Sequence, residues 1–456
     1  MARIRYFVAL WASKLVYVLL KLLHKKATMF PGQVALTLCP NYLALTKKSP
    51  KVICVTGTNG KTTTTNMIAD ILVKSGLKVV SNRYGSNINT GVATALTHSV
   101  SLFGKPKIDV LVLEVDERFS RLIFPYIKPD YVAVTNLFRD SLKRNAHPDY
   151  IFSVIDTYCP DTTKMILNAD DLCSCNLKPN NEHIFYGIDK LPSDIKESIN
   201  IIADYSLCPK CGAKLKYNYL RYHHIGNAYC PECGFKSFDA DYLVTGIDSE
   251  NKTFTVKHNG KQTVFPLISD ILFNIYNQLT VVAVLSYTGM SDADIAKYLG
   301  EINVPDSRLN ETTVNGVTVI QAMSKGQSAI SSCRTFDFVS HSDGNKAVIL
   351  AVDDYYDRKA SIEFSGWIYD VDYEFMNNAS VKRFVACGPR CYDHKVRLLL
   401  AGMPEEKIEC FEEELNAVDN MSLEGIDKIY ILYDTSTYVL SCEMKERIVR
   451  RLEGRK

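Results

Sequence analysis

The chain has 456 residues, enough for two or three domains with separate cores. Hydrophobic residues make up 46% and charged residues 23% of the sequence, which is ordinary for a globular protein. The formal net charge is only +2, so the composition gives no electrostatic reason to expect a nucleic-acid partner.

The first segment is predicted to be an amphipathic helix. Residues 4–23 are mostly apolar and long enough to raise the question of a membrane span, but Lys14 and Lys21 interrupt them. Together with Arg3 and Lys25, these lysines recur at intervals of 11, 7 and 4, which places the four charges near one stripe of a helix. We expect this helix either to pack on the first domain or to rest on a membrane surface.

After residue 50, short apolar segments rich in β-branched residues alternate with helical ones. A helix is predicted at 62–75, and strands are predicted at 51–55, 78–81, 110–115, 131–135 and 165–167. Because both faces of these strands are apolar, the alternation predicts a parallel sheet that is covered by helices on both sides.

The composition changes at 180–206, which is polar and predicted to be irregular, and a compact cysteine-containing insertion follows at 208–233. Beyond it, 242–256 and 262–267 are predicted to be hairpin strands, and 270–299 is predicted to be helical. The pattern breaks at Pro305, in a predicted linker at 304–315. Short buried-type strands then recur at 317–321, 347–352, 383–386 and 428–432, as expected of a second α/β domain.

A phosphate-binding loop follows the first predicted strand. Residues 56–62 read Thr-Gly-Thr-Asn-Gly-Lys-Thr, with two residues between the glycines where the common Walker A pattern has four. Glycines let backbone N–H groups approach phosphate oxygens, and the start of a helix adds a favourable dipole. We expect Lys61 to reach the terminal phosphates of ATP and the Thr62 hydroxyl to bind Mg²⁺. The predicted nucleotide-binding residues of the loop are Gly57, Thr58, Asn59, Gly60, Lys61, Thr62 and Thr63.

Glu114 lies near the end of the predicted strand 110–115, at the carboxyl edge where parallel sheets bind ligands. A carboxylate there suits a second contact to Mg²⁺ and makes Glu114 a candidate catalytic residue. Asp116 and Glu117 compete for the same role, and a solvated strand end is the structural alternative.

Two CxxC pairs predict a zinc site. Cys208 and Cys211 are separated by 18 residues from Cys230 and Cys233, and a proline and a glycine recur at equivalent positions of both pairs. Four thiolates form a closed tetrahedral Zn²⁺ site, which indicates a structural role. Two disulfides or a redox pair are the alternatives. His223 and His224, in the intervening loop, fit surface or packing roles better than ligation. Most of the remaining cysteines are scattered, as expected of reduced thiols in the cytoplasm.

Several of these stretches resemble one family. The loop at 56–63 resembles the ATP loop of Mur ligases, which join amino acids to peptidoglycan precursors, and 135–140, 167–171 and 274–277 resemble further Mur-ligase segments. The zinc ribbon, 365–370 and 388–393 resemble the MurT family, the synthetase subunits of lipid II isoglutaminyl synthases. The resemblance extends over essentially the whole chain from residue 31.

The resemblance implies an α/β fold in three parts. They are an N-terminal helical segment at 1–48, a Mur-ligase-like parallel-sheet ATPase domain at 49–303 with a zinc ribbon inserted at about 205–236, and a smaller α/β C-terminal domain at 304–456. It also implies that Asn274 and Arg308 contact the nucleotide. Arg308 follows Pro305 where Mur ligases usually carry Gly-Arg, so it is a displaced equivalent.

The activity that the resemblance implies is ATP-dependent amidation of the D-glutamate α-carboxylate of the lipid II stem peptide to D-isoglutamine, through an acyl phosphate. The implied cofactors are ATP, Mg²⁺ and Zn²⁺. A GatD-like glutaminase subunit would supply ammonia within a heterodimer, and Asp370 would complete the glutaminase Cys–His pair, with Asp353, Asp357 and Asp372 as alternatives. The implied location is the cytoplasm, with the inner face of the membrane, where lipid II lies, as a second possibility.

Two other functions compete with this one. The first is an amino-acid-adding Mur ligase or a folylpolyglutamate-type ligase, and the second is a non-enzymatic ATP-binding scaffold. The zinc ribbon argues against the ligases of the first alternative.

Overall fold

The computed structural model describes residues 2–83, 86–140, 147–302, 309–326, 328–352, 365–434 and 436–454. The chain forms two compact units. The first contains Met1–Leu137, Pro148–Ser198 and Ala203–Val304, and the second contains Phe138–His147, Ile199–Ile202 and Pro305–Lys456.

The first unit contains helices, a large sheet and a separate hairpin. Its helices are α1 (Ala2–Leu22), α2 (Phe30–Leu38), α3 (Tyr42–Leu45), α4 (Lys61–Lys74), α5 (Asn89–Ser99), α6 (Ser120–Ile127), α7 (Pro148–Tyr158), α8 (Leu272–Tyr287) and α9 (Asp292–Glu301). Its strands are β1 (Lys51–Thr56), β2 (Val79–Ser81), β3 (Val110–Glu114), β4 (Tyr131–Val134), β5 (Lys164–Asn168), β6 (His183–Ile188), β7 (Lys216–Tyr222), β8 (Ile225–Tyr229), β9 (Tyr242–Asp248), β10 (Thr253–His258) and β11 (Lys261–Pro266).

Within the described ranges, nine strands form one sheet in the order β11-β10-β9-β6-β5-β4-β1-β3-β2. The strands from β9 to β2 pair in parallel, and β10 and β11 add an antiparallel edge. The chain continues from β1 towards β2 on one side and places β4 on the other. The carboxyl ends of β1 and β4 therefore flank a topological switch point, where open α/β sheets bind their ligands.

The N-terminal helix α1 packs one face on the first unit. Tyr6, Ala9 and Leu10 are buried there, and the Oγ of buried Ser13 lies 3.0 Å from Thr97 Oγ1 on α5. No helix that the structure describes is both long and apolar enough to cross a membrane.

The second unit has its own mixed sheet. Its strands are β12 (Leu309–Val314), β13 (Val317–Met323), β14 (Lys346–Ala351), β15 (Val381–Cys387), β16 (Ile408–Phe411) and β17 (Lys428–Tyr433), and its helices are α10 (Ala329–His341), α11 (Gly366–Tyr369), α12 (Cys391–Leu400), α13 (Glu414–Asn420) and α14 (Tyr438–Leu452). The strand order is β12-β13-β17-β14-β15-β16, parallel except for the hairpin of β12 and β13.

One prediction of local structure was wrong, and two others were right in the type of element but missed a break within it. The segment predicted to be irregular at 180–206 contains β6, because His183–Ile188 extends the parallel sheet beside β5. The single strand predicted at 242–256 is two strands, β9 and β10, separated by a turn in which Lys252 has a φ of 51°. The segment predicted to be helical at 270–299 is helical, as two helices, α8 and α9, with a short break between them.

Candidate active site and metal centre

The phosphate loop is the turn between β1 and α4. Gly57 and Gly60 have φ values of 123° and 87°, a backbone region that residues other than glycine rarely adopt. A Cβ on Gly57 would lie 2.3 Å from Thr135 Oγ1, and a Cβ on Gly60 would lie 2.1 Å from Asn277 Oδ1. Both the backbone conformation and the space available therefore require glycine at these two positions. A loop whose backbone closely approaches phosphate has the same requirement.

Residues that follow β4 hold the loop in place. The Thr58 N–H donates to Asn136 O at 2.7 Å, and the Asn59 N–H donates to Asn136 Oδ1 at 3.0 Å. Asn136 Nδ2 and Thr135 Oγ1 donate in return to Asn59 O, at 3.1 and 2.6 Å. These contacts fix the loop at the switch point between β1 and β4, the position expected of a nucleotide site.

Lys61 begins α4 and is held by an acidic side chain. Its Nζ donates to Glu117 Oε1 at 2.8 Å and to Thr58 O at 3.3 Å, and it also contacts Gly57 O. Burial lowers the pKa of Lys61, but the charge and hydrogen bond of Glu117, together with nearby acidic groups, outweigh burial and leave the pKa raised. Lys61 is therefore a charged ammonium group at the phosphate loop.

The acidic residues near Lys61 differ in their positions and contacts. Glu114 ends β3 and is buried, and its Oε1 accepts from Asn87 Nδ2 at 3.0 Å. Glu117, which competes with it in the sequence, is the carboxylate that contacts Lys61. Burial raises the pKa of Glu117, and Lys61 opposes that shift. The charges of Glu114 and Asp116 also act on Lys61.

The residues present fit a cation that is shared with a nucleotide. The side chain of Thr62 is exposed in the first turn of α4, and Thr63 beside it is half-buried. Magnesium in phosphoryl-transfer sites usually takes one or two carboxylates, the remaining ligands being phosphate oxygens and water. Thr62 and Glu114 suit such a partial ligand set.

Asn274, a predicted nucleotide-binding residue, lies in the first turn of α8. The residue against the loop is Asn277 of α8, whose Oδ1 faces Gly60. Asn277 Nδ2 lies 3.5 Å from Asn274 Oδ1, and Asn274 Nδ2 donates to Ser269 Oγ at 3.0 Å. Asn274 is thus connected to the loop through Asn277. The loop contacts of Asn136 and Asn277 were not predicted, although both residues lie in the segments that resemble Mur ligases.

The four paired cysteines converge. The Sγ atoms of Cys208, Cys211, Cys230 and Cys233 all lie within 4.8 Å of one another. Gly212 and Gly234 turn the chain after each pair, with φ values of 74° and 73°. The arrangement is that of two equivalent turns that point four thiolates at one centre, so the cluster can hold a tetrahedral metal ion.

The hairpin that joins the two cysteine pairs, β7 and β8, is tied to the large sheet. The side chain of Arg221 on β7 is completely buried, with Nη1 3.0 Å from Asp170 Oδ2 and Nε 3.5 Å from Asp194 Oδ1. Tyr276 OH on α8 donates to the same Asp170 oxygen at 2.7 Å. His223 and His224 are both buried, which fits the packing role and not the surface role among the two predicted for them.

Asp370 lies at the end of α11 in the second unit. Its Oδ2 accepts from Arg139 Nη1 at 3.3 Å, and its side chain remains 29% exposed. Of the alternatives, Asp372 is buried and accepts from the Ile201 N–H at 2.6 Å. The other predicted site residues of this unit, Arg308, Asp353 and Asp357, lie outside the described residues.

Two family models match the chain. The Mur ligase middle domain matches residues 55–230, and the MurT ligase C-terminal domain matches residues 329–438. The chain is 28% identical over 438 residues, 94% of each chain, to the lipid II isoglutaminyl synthase (glutamine-hydrolyzing) subunit MurT of Streptococcus pneumoniae. It is 26% identical over 400 residues to the corresponding subunit of Staphylococcus aureus, covering 87% of this chain and 88% of that one.

Solved structures share the fold. A pseudomurein peptide ligase type C from Methanothermus fervidus aligns with a TM-score of 0.68 and 20% identity, over 88% of this chain and 80% of that one. MurF from Acinetobacter baumannii aligns with a TM-score of 0.63 and 16% identity, over 91% and 80%. With the two matched domains in this order and relatives aligned along nearly its whole length, the chain has the domain organisation of the MurT subunits to which it is similar.

Proposed function

We propose that this chain is the synthetase subunit of a lipid II isoglutaminyl synthase. It uses ATP to amidate the α-carboxylate of D-glutamate in the lipid II stem peptide and forms D-isoglutamine. The observation that carries the proposal is the order of the two matches: a MurT C-terminal domain follows a Mur ligase middle domain whose phosphate loop contains a partly buried, charged lysine. The proposed domains are 1–48, 49–303 and 304–456.

The chemistry requires activation of a poor electrophile. A carboxylate oxygen attacks the terminal phosphorus of ATP, which gives an acyl phosphate and ADP. Ammonia then attacks the carbonyl carbon, phosphate leaves, and the new nitrogen loses a proton to give the amide. The protein contributes positioning and neutralisation of charge on the transferred phosphoryl group.

We assign these tasks to the loop and to the sheet edge beside it. The backbone of 57–60 binds the phosphates, Lys61 neutralises their charge, and Glu117 keeps Lys61 charged and in place. Thr62 and Glu114 are the proposed ligands of Mg²⁺, which would neutralise phosphate oxygens when bound. Thr63, Asn274 and Arg308 complete the proposed nucleotide-binding set.

The cysteine cluster is proposed to hold one structural Zn²⁺. Four thiolates leave no open coordination position, so the ion would stabilise the ribbon and take no part in amidation. The alternatives of two disulfides or a redox pair require two separate Sγ pairs, whereas the four sulfur atoms here share one centre.

The proposed nitrogen source is a GatD-like glutaminase subunit in a heterodimer with this chain. The relatives from Streptococcus pneumoniae and Staphylococcus aureus are named as subunits of a glutamine-hydrolyzing synthase, which supports such a partner. Asp370 is the proposed acid for the partner's Cys–His pair. Because lipid II is anchored in the membrane, the enzyme would act in the cytoplasm at the inner face of that membrane.

The competing function is addition of an amino acid. UDP-N-acetylmuramoylalanine–D-glutamate ligase of Leuconostoc citreum is 36% identical, but only over 133 residues and 28% of this chain. The test supplies purified chain with ATP, Mg²⁺ and lipid II, and either ammonium or free amino acids, and analyses the product by mass spectrometry. We expect the reaction with ammonium, and not the reaction with free amino acids, to give a product whose mass corresponds to conversion of a carboxylate to an amide. Incorporation of an amino acid in place of ammonia would overturn the proposal in favour of a conventional Mur ligase.

A further inference from the structure

Helix α1 has a second face, opposite the buried one, that is apolar and uncovered by the described residues. Six residues spaced three and four apart form this apolar stripe: Ile4, Val8, Trp11, Leu15, Val18 and Leu22, between 49% and 72% exposed. The spacing puts all six on one side of a helix about 30 Å long. A stripe of this length is unusual on a surface that faces only water.

A neighbouring loop extends the stripe. Trp11 Nε1 donates to Leu102 O at 2.9 Å, which holds the loop that follows α5 beside α1. The side chains of Leu102 and Phe103 in that loop are 57% and 77% exposed. The apolar surface is therefore formed by two elements, and the hydrogen bond fixes their separation.

The charge of this region indicates what covers the stripe. The first 50 residues contain eight Lys and Arg and no Asp or Glu. Since the whole chain has 53 Lys and Arg against 51 Asp and Glu, the remaining residues carry 45 against 51. Positive charge is thus concentrated on the segment with the uncovered apolar face, in a protein that is otherwise weakly acidic.

We propose that the apolar stripe of α1, with Leu102 and Phe103, is a docking surface for an anionic lipid bilayer. The helix lies in the plane of the interface, its apolar side chains enter the acyl boundary, and Arg3, Lys21 and the lysines after the helix contact anionic headgroups. A transmembrane arrangement does not fit, because Lys14 Nζ donates to Thr97 O and Val100 O at 2.7 and 2.8 Å and the opposite face is buried on α5.

A second copy of the chain is the competing occupant, since spacings of three and four also suit helix pairing. Packing two such faces together would bring together two N-terminal segments, each with eight basic and no acidic residues. No acidic residue of either segment would then offset the repulsion between the positive charges. An anionic surface neutralises the same charges. The purpose of docking, access to a lipid-linked substrate, rests on the proposed function, but membrane binding itself does not.

The chain contains its own reporter of docking. Of its two tryptophans, Trp11 is 51% exposed within the stripe and Trp367 is buried at 7%. The full-length chain, without nucleotide or lipid II, is mixed with vesicles of phosphatidylcholine alone or of equal parts phosphatidylcholine and phosphatidylglycerol. We expect a blue shift of tryptophan emission and quenching by acyl-chain-brominated lipid with the anionic vesicles, both weakened at high salt. Trp11→Phe should remove the signal.

The deciding variant is Leu15→Gln with Val18→Gln, which changes two exposed side chains. We expect its partition into anionic vesicles, measured by co-sedimentation, to fall by about tenfold or more. The matched control is Val264→Gln with Leu400→Gln, which changes side chains that are 56% and 69% exposed elsewhere and should bind as the wild type does.

Three outcomes would overturn the proposal. The first is no binding of the wild type to anionic vesicles, and the second is binding of the Leu15/Val18 variant that is as strong as that of the wild type. The third is a wild-type dimer, seen by light scattering, that this variant converts to a monomer, which would identify the stripe as an interface between copies. Amidation of detergent-dispersed lipid II by the variant should remain at the wild-type rate. Failure of the docking proposal is therefore distinguishable from failure of the proposed amidation.

Discussion

His224 Nε2 lies 3.0 Å from Asp171 Oδ1, and both side chains are buried. His224 is in the turn between β7 and β8, within the cysteine-paired insertion. The other oxygen of Asp171 accepts from the Leu137 N–H at 2.7 Å. Leu137 directly follows Asn136, which holds the phosphate loop, so a short series of contacts joins the ribbon hairpin to the nucleotide site.

This relationship predicts that His224→Ala weakens nucleotide binding without removing metal. The change takes away one partner of buried Asp171 and should cost about 1–3 kcal/mol of stability. We expect the Kd for ATP to rise while the zinc content stays the same, measured by calorimetry and elemental analysis. His341→Ala, which changes a side chain that is 74% exposed, is the control. A lower melting temperature with unchanged ATP affinity would mean that the contact is structural only.

The Lys61–Glu117 pair predicts that stability and activity can be separated. Lys61→Ala should lower amidation by about 100-fold or more, because it removes a charge that stabilises the transferred phosphoryl group. It also leaves Glu117 buried without its partner, at a cost of about 3–5 kcal/mol. In the double variant Lys61→Ala with Glu117→Gln, thermal stability should recover while activity stays low.

The control for this pair is Lys74→Ala at the other end of α4, where the lysine side chain is 40% exposed. It should keep both stability and activity. If the double variant regained activity together with stability, Lys61 would have no direct role at the phosphates.

Two glycines provide a matched test of the loop. Gly60 and Gly76 have nearly the same φ, 87° and 90°, but a Cβ would meet Asn277 at 2.1 Å in the first case and nothing within 4 Å in the second. Gly76→Ala should therefore cost only the backbone strain of about 1–2 kcal/mol. Gly60→Ala should in addition displace the loop and abolish ATP binding. Equal ATP affinities of the two variants, measured by calorimetry, would contradict the proposed phosphate cradle.

The metal proposal predicts about one zinc per chain in protein purified without chelators. Because binding free energy at such a site is also folding free energy, Cys208→Ser should lower the melting temperature by about 5–10 °C and release the ion. Cys442→Ser is the control, since Cys442 is half-buried in the second unit and outside the cluster. Protein without zinc but with full stability would exclude the structural ion.

The sequence predicted the elements whose local signals agree with the tertiary structure. The strand, turn and helix around the phosphate loop were predicted because β-branched residues, glycines and helix formers follow one another in a short segment. Strand β6 was missed, because six residues in a polar segment carry little periodicity and become a strand by pairing with β5.

The site was predicted less completely than the fold, for a geometric reason. Sequence can place Glu114, Asp116 and Glu117 at the end of one strand, but it cannot tell which of them reaches Lys61. That depends on where the chain turns after β3, and the turn brings Glu117 to the lysine. The contacts of Asn136, Asn277 and His224 are likewise between residues far apart in the chain.

The last prediction concerns Asp370 and the source of nitrogen. Asp370 is partly exposed and is held by Arg139, so its carboxylate is oriented and accessible. A glutaminase Cys–His pair needs such an acid to orient the imidazole and stabilise its charged form. In the complex with the glutaminase, Asp370→Asn should therefore abolish amidation from glutamine and largely spare amidation from free ammonium. Arg139→Gln should give the same pattern more weakly, because it loosens Asp370 but keeps its carboxyl group.

Glu374→Gln is the control, since this residue pairs with Arg397 in the same unit and its side chain is 50% exposed. It should affect neither nitrogen source. Equal loss of both activities in Asp370→Asn would place the carboxylate in the synthetase reaction, because only that step is common to the two assays. Full retention of both would remove Asp370 from catalysis and leave its pair with Arg139 as a structural contact.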